Sequence, residues 1–166
     1  GREPGPLFEA LKLYKENGVF DFELIFQGAG SGSEHKETIT QLGLENHIIF
    51  KEGIPVKDAV SEMLKADVLV LIQDEKFNNQ VPGKLYEYLA TNNYILIKSP
   101  KESASNKVAT NYPGVFSGYC AHSIYQAILD IERERKTMSN IRRDVDEHSR
   151  ERIFEAVFKK ITTHIN

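Results

Sequence analysis

The sequence predicts an α/β protein in which a parallel sheet is covered by helices on both faces. Three observations predict it. Strand-length apolar runs alternate with segments of helical period along the chain. The central runs, 67–72 and 94–97, are apolar on both faces, as in strands buried from both sides. Glycines or polar loops punctuate the runs where crossings between parallel strands turn.

The elements follow in order. Leu7, Leu11 and Tyr14 recur at helical spacing between Pro6 and Gly18, which predicts a helix over 7–17. Phe22 to Phe26 is a short strand that ends at Gly28-Ala29-Gly30. A helix is expected over 34–42, with Ile39 and Leu42 inward and Gly43 at its end. His47 to Phe50 is a strand that stops near Gly53, and 57–65 a helix with Val60, Met63 and Leu64 inward. The strand 67–72, a helix over about 83–91 and the strand 94–98 make a βαβ unit. Val115-Phe116 is a short last strand, Ile124 to Arg135 a helix, and Ile141 to Ile165 a final helix or helix pair.

With 166 residues the chain suits one domain, able to bury roughly 70% of its unfolded surface without a metal or disulfide staple. With a net charge of −3, nothing is basic enough to point to nucleic acid as the main partner, and none is expected. The single cysteine, Cys120, excludes an internal disulfide, fits a reducing compartment and reads as half-buried. No apolar run reaches the roughly 18 residues of a membrane span, which leaves only peripheral membrane contact open. The opening Gly1-Arg2-Glu3-Pro4-Gly5-Pro6 reads as the end of a loop, so further chain is expected upstream.

The chemistry concentrates after the strands, because ligands of open parallel sheets bind beyond the carboxyl ends of the strands. The segment Val81 to Ala90 places an ammonium, Lys84, and a carboxylate, Glu87, at such an end. One carboxylate can accept hydrogen bonds from both hydroxyls of a ribose diol. The plainer reading of Glu87 is a solvated residue paired with Lys84 three positions back. Lys84 sits in the first helical turn, where a cation opposes the helix dipole, and this mild conflict suggests an anion nearby. Gly83 would let backbone approach that anion. Gly28, Gly30 and Gly32 form a strand-to-helix loop without a GxGxxG or Walker pattern, so a tight turn explains them as well as a ligand does. Gly53, Ile54 and Pro55 read as an ordinary β–α loop. Asn78, Asn79 and Gln80 offer amides to sugar hydroxyls or simply to water. The five histidines show no metal-ligand spacing.

Four segments in order carry a family resemblance: Phe22-Glu-Leu-Ile-Phe-Gln-Gly-Ala-Gly30, His47-Ile-Ile-Phe-Lys-Glu-Gly53, Ala66-Asp-Val-Leu-Val-Leu-Ile72 and Pro82-Gly-Lys-Leu-Tyr-Glu-Tyr-Leu-Ala90. Over about residues 7–100 the chain resembles the C-terminal domain of GT-B glycosyltransferases. More narrowly, it is similar to the family-four type of retaining transferases that build bacterial polysaccharides. The resemblance implies a Rossmann-like domain that holds a nucleoside-diphosphate sugar. A missing N-terminal domain would hold a glycan or lipid-linked acceptor, and the first strand of the donor domain would also be absent. It implies no metal and no cofactor beyond the donor, and a cytoplasmic enzyme at or near the inner membrane face. The chain alone would then be inactive in transfer.

Residue by residue, Glu87 matches the family glutamate that accepts from the ribose hydroxyls. Eight positions earlier stands Asn79, where the family has a second glutamate near the donor sugar or its phosphates. Arg2 matches an arginine that clamps the diphosphate, but Glu3-Pro4 replaces the Lys-Gly expected next, and Lys84 would supply part of that charge. The loops at Gly28–Gly32 and Gly53–Pro55 would lie against the base and the cleft. Arg2 and Lys84 would thus carry catalysis, by stabilising charge on the departing nucleoside diphosphate. Two other classes stay open: a non-catalytic doubly wound ligand-binding or regulatory module, and a sugar-nucleotide epimerase of the same fold.

Overall fold

A computed structural model describes residues 3–18, 21–138 and 140–143. It is an α/β fold with parallel strands flanked by helices. The helices are α1 (Gly5–Asn17), α2 (Lys36–Gln41), α3 (Val56–Lys65), α4 (Gly83–Leu89), α5 (Ala104–Ala109) and α6 (Ala121–Thr137). The strands are β1 (Leu24–Gln27), β2 (Ile48–Lys51), β3 (Val68–Ile72), β4 (Tyr94–Lys98) and β5 (Val115–Gly118).

One difference from the sequence-based expectation is structural. The strands form two parallel sheets, β1-β2 and β3-β4-β5, because among the described residues no strand joins β1 or β2 to β3. The two-sided burial expected of the centre holds for β4, whose five residues are all buried. In β3 only Leu69 and Leu71 are buried, while Val68, Val70 and Ile72 stay half-exposed.

Alternation of side chains along the strands divides the core into two layers. One gathers Leu7, Phe8 and Leu11 of α1, Ile39 of α2, Leu96 of β4, and Ile124 and Ile131 of α6. The other gathers Leu69, Leu71, Ile95 and Ile97 with Leu85 and Leu89 of α4 and Ala109 of α5. Burying a leucine contributes about 2 kcal/mol, so Leu85 and Leu89 fix which way α4 faces.

Element ends have local causes. Pro82 is extended before α4, as expected of a residue leading into a helix without continuing it. Ser103 caps α5, its hydroxyl accepting from the Asn106 N–H at 3.2 Å. α5 escapes the sequence reading because its six residues are too few to show a period.

α3 departs from expectation. Of the three residues expected inward only Met63, half-buried, packs against the core layer of Leu69, Leu85 and Leu89; Val60 and Leu64 are exposed, and no residue of α3 is fully buried. The expected helix over 141–165 lies almost wholly outside the described residues, and 141–143 are not helical. Arg143 ties that end of the chain down, its guanidinium donating to the carbonyls of Thr91 and Asn93 at 2.7 Å and Pro113 at 2.9 Å.

Candidate functional site

The carboxyl ends of the strands assemble three features. The first is α4. With Leu85 and Leu89 turned inward, Lys84 and Glu87 project outward, and the Lys84 ammonium donates to the Glu87 carboxylate at 2.7 Å. Both side chains are about half exposed, 51% and 56%. The Lys84 Nζ also lies 5.9 Å from the centre of the Tyr88 ring. The plain helix pairing expected from the i,i+3 spacing is therefore present, and it holds an ammonium and a carboxylate together at the strand ends. Gly83 is exposed with open space where a Cβ would stand, so its backbone is accessible. Asn79 is exposed in the loop that leads to α4, separated from Lys84 by Pro82.

The second is a pair of glycine loops. Gly28 and Gly30 take φ of +71° and +84°, a region that disfavours side chains. Gly28 follows β1, its N–H donating to the Lys51 carbonyl at 2.9 Å, and a Cβ on it would stand 3.3 Å from the Cα of Gly53. The loops after β1 and β2 thus pack backbone on backbone, and the Gln27 side-chain amide adds a bond to the Glu52 carbonyl. Gly28 and Gly53 are brought together, a contact between the two loops that the sequence reading did not predict, and Ile54 beside them is exposed.

The third went unread in the sequence. Lys98, the last residue of β4, is 3% exposed, and its ammonium meets the Asp74 carboxylate at 2.8 Å and the Tyr119 ring at 5.3 Å from its centre. Asp74 also accepts from the Glu3 N–H at 3.1 Å. Burial pushes the Asp74 carboxyl up, but the Lys98 and Glu3 hydrogen bonds and the Lys98 charge outweigh it and hold the pKa below the usual range. Next to it, buried Gln73 donates to the carbonyls of Phe77 at 2.5 Å and Gln80 at 2.9 Å and accepts from the Ser105 hydroxyl at 2.5 Å. The signal was available: a lysine closing an otherwise apolar buried strand requires a charged partner.

Cys120 is exposed, not half-buried as the sequence suggested, because it is the residue before the first turn of α6 and its thiol faces that turn. The Ser123 hydroxyl, 3.3 Å away, and the Ser123 N–H bond to the sulfur and lower its pKa. Arg2 lies outside the described residues. Among the described residues no three His, Cys, Asp or Glu side chains are placed to hold a metal ion, and no helix is long and apolar enough to cross a membrane.

No family model matches this chain, and no curated protein matches it.

Proposed function

We propose that this chain is the donor-binding domain of a retaining GT-B glycosyltransferase, taking a nucleoside-diphosphate sugar at the carboxyl ends of its strands. The observation that carries the reading is the outward pairing of Lys84 with Glu87 on α4. A ribose diol would displace the ammonium from Glu87, and the freed Lys84 would meet the diphosphate, so one ligand satisfies both partners. The Gly28 and Gly53 backbones supply a side-chain-free wall for the base. Arg2, by its match to the family clamp, would share the diphosphate with Lys84. Asn79 would offer its amide where the family uses a carboxylate. The acceptor, a glycan or lipid-linked sugar, would be held by a separate N-terminal domain, in a cytoplasmic enzyme working near the inner membrane face.

Titration of the chain with UDP, GDP and ADP tests the reading. Millimolar or tighter binding of at least one, weakened tenfold or more in Glu87→Ala, supports it. No binding at millimolar nucleotide, or equal binding by Glu87→Ala, sinks it and leaves a doubly wound module without transfer chemistry.

A further inference from the structure

Arg143 acts at the amino ends of β4 and β5, the edge of the sheet opposite the candidate site, and its guanidinium bonds two junctions at once. Between α4 and β4, Nη1 donates to the Thr91 carbonyl and Nη2 to the Asn93 carbonyl, both at 2.7 Å. Just before β5, Nε donates to the Pro113 carbonyl at 2.9 Å and Nη2 also reaches the Gly114 carbonyl at 3.4 Å. Among the described residues no carboxylate forms an ion pair with it. The planar fork of donors is spent on backbone carbonyls, so it holds the elements themselves and not a neighbouring side chain.

The segment that delivers Arg143 is seated in a shaped receptor. Ile141 is 3% exposed and packs in the core. Gly114, at φ +68°, lies bare against it: a Cβ there would stand 2.5 Å from Ile141 Cδ1 and 3.1 Å from Arg143 Nη2. A side chain at 114 would therefore push both anchors away.

The helix that Arg143 holds is short. α4 has seven residues, and no glycine closes it, its C-cap being Ala90. Thr91 ties off the last turn: its N–H and its hydroxyl donate to the Tyr88 carbonyl at 3.0 and 2.7 Å. Thr91 is buried, and it is the residue whose carbonyl Arg143 grips. It follows Glu87 by four residues, about one helical turn. A cation at a helix carboxyl end also complements the helix dipole. Leu85 and Leu89 set which face of α4 is buried, but a helix of two turns held on one face can still tilt and slide along it. A grip on its last turn removes that freedom.

We infer that Arg143 is a positioning residue for the Lys84–Glu87 pair, a role that rests on the reading of that pair as the ligand site. From the opposite edge of the sheet it fixes the end of α4, and with it the direction in which the ammonium and the carboxylate are presented. The segment after α6 and the candidate site are thereby coupled: whatever lifts Ile141 and Arg143 off Gly114 loosens the pair.

Amide hydrogen exchange and nucleotide titration on the same variants test this. In Arg143→Ala, exchange at the Tyr88, Ala90 and Thr91 amides should rise at least tenfold, and the Kd for whichever of UDP, GDP or ADP the wild type binds should rise at least fivefold. Arg143→Lys keeps the charge but cannot fork to both carbonyls, and should lie close to Arg143→Ala. Methylguanidinium added to Arg143→Ala should move both readouts back toward wild type. Ile131→Val trims the core on α6 without touching these bonds; it should lower the melting temperature and leave nucleotide affinity unchanged. Unchanged exchange in Arg143→Ala overturns the role, as does a loss of affinity in Ile131→Val that equals the loss in Arg143→Ala. A wild type that binds no nucleotide overturns instead the reading of the pair as a ligand site, and the exchange result alone then decides whether Arg143 positions α4.

Discussion

The Lys98 ammonium, over the ring of Tyr119, and the Asp74 carboxylate, 2.8 Å apart, join the end of β4 to the second residue past the end of β3. Asp74→Ala leaves a buried ammonium unpaired. Loss of one partner of a buried pair costs about 3 kcal/mol, so the urea midpoint of Asp74→Ala should fall well below that of the wild type. The double variant Asp74→Leu with Lys98→Met should recover most of the loss. A double variant no better than Asp74→Ala would show that the lysine is not what the carboxylate serves.

The same pair sets an acid limb. Its folded-state pKa is depressed, so Asp74 contributes stability that is present above the ordinary carboxylate value of about 4 and is lost as pH falls through the folded value. Thermal melts should show wild type well above Asp74→Asn at pH 7, with the gap closing toward pH 3. A gap independent of pH would assign the difference to packing.

Lys84 and Glu87 are expected to behave in the opposite way. Their pair is half exposed, and such pairs contribute about 0–1 kcal/mol. Glu87→Ala and Lys84→Ala should melt near the wild type while both weaken nucleotide binding. Parallel loss of melting temperature and binding would make the pair structural.

Gly28→Ala and Gly30→Ala separate two costs. Both positions have positive φ, costing about 1–2 kcal/mol for a side chain, but only Gly28 also has a backbone neighbour, Gly53, at 3.3 Å from the added Cβ. Gly28→Ala should therefore be the less stable by denaturant titration. Equal losses would mean that the Gly53 loop gives way freely.

Cys120 should alkylate faster at pH 7 than an unperturbed thiol, and Ser123→Ala should slow it by removing the hydroxyl bonded to the sulfur. Iodoacetamide rates across pH 6–9 measure this directly, and an unchanged profile in Ser123→Ala would remove the hydroxyl from the account.

What the sequence made legible was periodic or punctuated. The strand 94–98 and the helix expected over about 83–91 stand where apolar spacing put them, since burial of whole faces is written in that spacing. Gly28 beside Gly53 was legible only as two loops, because their contact is long-range. Lys98 carries little signal in the sequence because one charge in an apolar run reads as a strand end, and its partner lies 24 residues away. The helical period of α3 is correct and points Val60 and Leu64 inward, but a period names the apolar face without saying what covers it.

Gln73 has a consequence for any ligand that docks over the loop after β3. Its amide grips the Phe77 and Gln80 carbonyls from below and is itself held by Ser105, so the loop's backbone is fixed before anything arrives. Ordering a free loop would subtract from affinity; here that subtraction has already been made during folding. Gln73→Ala should therefore slow association with a ligand at this edge more than it speeds release, the kinetic mark of a shape that must be searched for.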